Sequence, residues 1–179
     1  MKKILTLLSF CFVLFSCSSE GPQGPQGPPG LDGLDGLGYT FESTVNLEYD
    51  AERNYWITNP TIPIPATVNT SEPESDAVLV YRLEVISGTN GDLDSWSLIP
   101  QNFFTTEGTI QYVYNHTIDD VEIILDGNYD LSNLDTGFTD NQTFRIVVVP
   151  SATFAANPNV DLNNYFEVID AFDIVNTEN

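Results

Sequence analysis

From Gly21 the chain places glycine at every third position: Gly21, Gly24, Gly27, Gly30, Gly33 and Gly36, in the triplets GPQ, GPQ, GPP, GLD, GLD and GLG. With glycine at about 7% of ordinary sequence, five further hits in one register have a chance probability on the order of one in a million. A hydrogen side chain every third residue is what three polyproline-II chains need where they meet on a common axis. Residues 21–38 therefore read as a collagen-like stem with no packed core of its own. Two uses stay open. The stem either associates three chains into a homotrimer, or serves one chain as an extended spacer gaining roughly 3 Å per residue. Proline fills the X position of only the first three triplets, and Gly38 falls off the register.

Upstream, Lys2 and Lys3 precede an apolar run from Ile4 to Phe15. A charged start and a short apolar stretch are the layout of a secretory signal, and the run is too short to span a bilayer stably. It ends in Leu14-Phe15-Ser16-Cys17, which resembles the lipobox of bacterial lipoproteins. That resemblance implies cleavage before Cys17 and acylation of its thiol, palmitate included. Residues 1–16 are then the signal peptide, and residues 17–20 the lipidated cysteine and a short tether. Several acyl chains on one residue anchor far more firmly than a single chain. Ser18 follows the cysteine where an inner-membrane retention signal would carry Asp, so the resemblance implies the outer membrane, facing the periplasm or exposed on the cell surface. The other cysteine, Cys11, lies in the signal, which leaves the rest without a disulfide.

Both lysines depart with the signal. Three basic residues then remain, Arg53, Arg82 and Arg145, against 26 acidic ones. Nucleic acid and anionic lipid surfaces repel such a body, whereas cationic partners and divalent ions are admitted.

Residues 39–179 read as one acidic head. Phe41, Ser43, Val45, Leu47 and Tyr49 alternate with polar residues and predict a half-buried strand. Residues 77–86 and 143–149 are apolar on both parities and predict central strands covered on both faces. Ile110, Tyr112 and Tyr114 mark another strand, and Val121, Ile123 and Leu125 a further one. Turn signals fall at Asn90-Gly91, Glu107-Gly108, Asp126-Gly127 and Thr136-Gly137. The first predicts a hairpin with a rather long loop onto Trp96–Leu98. The three prolines of residues 60–65 predict an edge or a crossing loop. Leu162, Tyr165, Phe166, Ile169 and Phe172 recur at helical spacing behind Asp161, a candidate N-cap. The expected fold is mainly β: an antiparallel β-sandwich with one short C-terminal helix.

Lipobox, GPQ triplets and a β head containing LDGNYDLSNLD and FRIVVVP together resemble the small collagen-like lipoproteins of Bacteroidota, notably flavobacteria. The resemblance implies location and leaves the role of the head open.

Little in the head suits catalysis. There is no G-x-S-x-G elbow, and the one histidine, His116, sits in a polar Asn115-His116-Thr117 turn. With no G-x-G-x-x-G between strand and helix and no redox cysteine pair, a flavin disulfide reductase is excluded. The head is therefore read as non-enzymatic, with no cofactor required. Calcium is the one ion to weigh. Asp126, Asn128 and Asp130 reproduce the first, third and fifth ligand spacing of an EF-hand, with Asn133 and Asp135 close behind. Leu131 and Gly137 stand where that hand needs glycine and glutamate, so a true EF-hand is ruled out. An irregular calcium loop and plain turn-making remain the alternatives. Trp56 and Trp96 are likewise read either as a stacking platform for glycans or as core aromatics. The expected function is a structural or adhesive surface interaction module with an unknown protein or glycan partner. The alternative is a glycan- or calcium-dependent binding module of the cell surface, with an enzyme of unrecognised type as a third reading.

Overall fold

The computed structural model describes residues 37–70, 72–89 and 91–176, with backbone alone for 175 and 176. Cys17, the six repeat glycines and Asn90 lie outside the described residues, as do the signal peptide and nearly all of the stem.

Two sheets form the head. The first has the order β11-β1-β10-β5-β6, built from β1 (Tyr39–Val45), β5 (Ala77–Gly88), β6 (Gly91–Leu98), β10 (Gln142–Val149) and the short β11 (Val175–Asn176). The second has the order β2-β3-β9-β8-β7, from β2 (Leu47–Asp50), β3 (Tyr55–Thr58), β7 (Gln101–Phe104), β8 (Thr109–His116) and β9 (Asp120–Gly127), with β4 (Ile62–Pro63) also on β9. Neighbours run antiparallel, except where β11 joins β1 in parallel. Phe41, Val78, Val80, Phe144 and Ile146 of the first sheet meet Ile110, Tyr112, Val121, Ile123 and Leu125 of the second in one buried cluster. Each such side chain contributes about 1.5–3 kcal/mol on burial, so this interface is the main source of stability. The antiparallel β-sandwich expected from the sequence is the fold observed.

The alternation over residues 41–49 is real, yet it spans two strands and not one. The chain changes sheet at Asn46, where Leu47 N–H donates to the Thr139 carbonyl (2.8 Å) and Asn46 Oδ1 accepts from Asn141 N–H (2.7 Å). Because the period of two survives the corner, Phe41 and Leu47 both stay on the inside. Asp126-Gly127 is not a turn but the end of β9, with Gly127 opposite Ile110.

A second cluster lies on the outer face of the first sheet. Leu79, Tyr81, Val147 and Val149 are covered there by Tyr165, Val168 and Phe172 of helix α2 (Tyr165–Ala171) and its C-cap. Residues 77–82 and 144–149 are thus buried on both faces, as their composition requires. The helix begins later than its spacing suggested. Asn164, not Asp161, accepts from Glu167 N–H, while Asp161 takes the Asn163 N–H in a local turn. That start rotates the buried stripe to residues 165, 168 and 172 and leaves Phe166 71% exposed. An additional short helix, α1 (Ser151–Ala156), has no side-chain cap of its own. Buried Asp76 accepts from Ser151 N–H instead (3.1 Å).

Candidate functional site

β5 outruns its neighbour. The register aligns Phe144 with Arg82 as the last β10–β5 pair, and β10 begins two residues earlier at Gln142. Asn141, with φ 51°, then turns the chain away. Beyond that point, among the described residues, β5 pairs with β6 alone, and the pairing continues to Gly88 opposite Gly91. The result is a two-stranded arm, closed by a tight turn and not by the long loop expected. Gly91 has φ 115°, a conformation glycine adopts without a Cβ penalty.

The arm carries apolar side chains in solvent. Val85 is 60% exposed, Ile86 54% and Leu93 63%. Ile86 and Leu93 face each other across the strands on one side, and Val85 faces Asp94 on the other. Sequence reasoning missed this feature because residues 77–86 look uniformly core-like. The missed signal was in the partner strand, whose Gly91–Ser95 segment is too polar to bury.

Two arginines fix the root of the arm. On the sandwich side, Arg82 is buried over the rings of Tyr112 (4.7 Å) and Phe103 (5.3 Å). Its Nε and Nη2 donate to Gln142 Oε1 (3.0 and 2.7 Å), and Nη1 reaches Glu84 (3.4 Å). Gln142 Nε2 in turn donates to the Gly137 and Asp140 carbonyls. On the helix side, Arg145 stacks on Trp96 and is held by Glu42.

The acidic loop points elsewhere. Asp126 accepts from Gly127 N–H, Asn128 from Thr109 N–H, Asp130 from Ser132 N–H and Asp135 from Gly137 N–H, while Asn133 donates to the Ser132 hydroxyl. The Ser132 backbone N–H, and then its hydroxyl, hold the Asp130 carboxyl below the usual carboxylate range. Among the described residues no group of three or more His, Cys, Asp or Glu is placed to hold a metal ion. Asp130, Asn133 and Asp135 do line one wall of a groove of about 490 Å³, with Glu107, Tyr129 and Phe138 completing it. Those last three were not singled out as site residues, Glu107 being read only as part of a turn.

The tryptophans do not share a surface. Trp56 sits at one end of the sandwich, packed against Tyr49 with its Nε1–H on the Leu131 carbonyl (2.8 Å). Trp96 lies on the outer face of the other sheet. His116 ends β8, exposed and stacked on Tyr114. Among the described residues no helix is long and apolar enough to cross a membrane.

Fold and site together define a two-sheet antiparallel sandwich with a helix on one outer face and a projecting two-stranded arm. Comparison with protein-family models, with curated proteins and with solved structures finds no match.

Proposed function

We propose that this chain is a non-enzymatic, collagen-like lipoprotein of the outer membrane, acylated at Cys17, whose head is a structural or adhesive interaction module at the cell surface. The observation that carries the reading is the arm. A monomeric head gains nothing from holding Val85, Ile86 and Leu93 in water, and apolar side chains kept exposed on a paired ribbon are what a contact surface requires. The stem spaces or trimerises such heads, and a trimer would multiply a weak contact by avidity. The acidic surface keeps the anchored head off anionic lipid. Expression of the full chain in a bacterial host tests the anchor: labelled palmitate enters the wild type and the outer-membrane fraction, and Cys17→Ser loses both. Replacing Ile86 and Leu93 with serine should then reduce attachment of intact cells without lowering the amount displayed. Unchanged attachment would end the adhesive reading.

A second reading draws on the groove beside the acidic loop, whose three carboxylates and two rings suit a calcium-dependent or glycan-binding site. Calorimetric titration of the full chain with calcium, and with neutral oligosaccharides in calcium, separates it from the first. Heat that disappears in Asp130→Asn supports the groove.

A further inference from the structure

β6 is the edge of its sheet among the described residues, and its hydrogen-bonding parity is fixed. The Ile99 N–H donates to the Val80 carbonyl (2.9 Å), so with Tyr81 opposite Leu98 the bonded pairs continue at 82/97, 84/95, 86/93 and 88/91. The backbone groups of Asp92, Asp94 and Trp96 therefore point away from β5, toward a position that no described strand fills. Their side chains share the α2 side of the sheet, on which Val85 and Leu83 also lie. Leu93 shares the opposite side with Ile86. An incoming strand thus meets two carboxylates on one face and an apolar pair on the other.

We propose that the outer edge of β6 receives an extended cationic segment of a partner protein as an added antiparallel strand. The inference rests on the reading of the head as an interaction module and names the chemistry of its partner. Free edges recruit strands of many kinds, and charge decides which. Asp92 and Asp94 would set like charges face to face if a second copy of this edge paired with it, whereas lysine or arginine at those places is attracted. All three arginines of the head are already held by acids, Arg53 by Asp50, Arg82 by Glu84 and Arg145 by Glu42, and none of these pairs involves Asp92 or Asp94. The matching segment alternates: basic residues opposite Asp92 and Asp94, apolar residues beside Leu93 and Ser95. In an antiparallel ladder it is the residues directly opposite Asp92 and Asp94, the basic ones, whose N–H groups bond to β6. The N–H groups of the apolar residues face solvent.

The test uses a fluorescent heptapeptide of alternating lysine and valine, titrated onto the full chain in detergent at low salt. Binding is expected, weakened at least about tenfold by Asp92→Asn with Asp94→Asn, which leave the fold in place. Methylating the backbone nitrogens of the lysines should abolish binding, while methylating those of the valines should leave it within about twofold. A glutamate-valine peptide should not bind. The proposal is overturned if both methylated peptides bind alike, since charge alone is then at work. It is also overturned if the two asparagines change nothing, or if sedimentation shows a dimer that Leu93→Ser dissolves, which makes a second copy the occupant. Absence of peptide binding, with cell attachment still lost in the Ile86→Ser, Leu93→Ser variant, removes the cationic strand and spares the interaction reading. Attachment that ignores that variant removes both.

Discussion

The Arg145 guanidinium lies 3.7 Å from the centre of the Trp96 ring, with the Tyr165 ring 4.7 Å from it and the Glu42 carboxylate accepting from Nε (2.8 Å) and Nη2. One cation therefore ties β1, β10, β6 and α2 together. A planar guanidinium can stack on a ring while its edge serves a carboxylate, and an ammonium cannot do both.

Arg145→Ala is expected to cost about 2 kcal/mol in urea unfolding, from the lost stacking on Trp96 and Tyr165 and the lost bonds to Glu42. Arg145→Lys should recover less than half of that. Trp96 fluorescence reports the same event independently, moving to longer wavelength as the ring is uncovered. Equal stability of the lysine variant and the wild type would show that charge, not planarity, holds the helix down.

Asn54 closes the β2–β3 turn at φ 58° and binds the 129–131 segment from a distance. Its Nδ2 donates to the Tyr129 carbonyl (2.7 Å), and its Oδ1 accepts from Leu131 N–H (2.9 Å) and the Tyr49 hydroxyl (3.0 Å). Asn54→Ala loses both the bonds and the tolerated backbone conformation, at about 2–3 kcal/mol. Asn54→Gly keeps the conformation and should recover roughly 1 kcal/mol of the loss. Denaturant midpoints of the three proteins separate the two contributions, and no difference between alanine and glycine would place the whole effect in the bonds.

What the sequence disclosed follows from period and chemistry. Val121, Ile123 and Leu125 alternate and are all fully buried, and the run ending in Val147–Val149 is buried on both faces because α2 covers the outer one. Legibility failed where the outcome depended on a distant neighbour. Nothing local in residues 83–86 tells that β10 begins only at Gln142, so an arm was read as core. Nor does anything near Ser151 announce a helix whose first N–H is taken by Asp76. The same holds for the site. The acidic loop was visible as composition, but its grouping with Glu107 across a groove depends on how β7–β8 folds beside it. Asp126 and Asn128 turned out to serve backbone N–H groups, which is the ordinary use of such residues in turns.

Arg82 and Gln142 form a buried exchange in which one amide oxygen accepts two guanidinium bonds. Gln142→Leu leaves the cation with Glu84 and the faces of Tyr112 and Phe103, without its two shortest bonds, and is expected to destabilise by roughly 3 kcal/mol. Arg82→Met with Gln142→Leu should lose less than the single leucine substitution, because no uncompensated charge remains. A double-mutant cycle in urea measures this, and additive losses would show that the two side chains act separately.

Stability should fall in alkali for a reason located in the same core. Burial pushes the Tyr112 hydroxyl up to about 12, although the Arg82 guanidinium over its ring pulls the other way. Burial raises Tyr81 and Tyr114 as well. A phenol that holds its proton more tightly when folded stabilises fully below its unfolded value near 10, and that contribution is lost as pH rises through the folded value. The Tyr112 hydroxyl also donates to the Phe138 carbonyl (2.5 Å), a bond the phenolate cannot make. Unfolding free energy is therefore expected to hold level to about pH 9.5 and then to decline by on the order of 2 kcal/mol for Tyr112 alone. Tyr112→Phe should start lower and decline less steeply, as urea unfolding at stepped pH will read. A profile equally steep in both proteins would assign the alkaline loss to the net charge of the head instead.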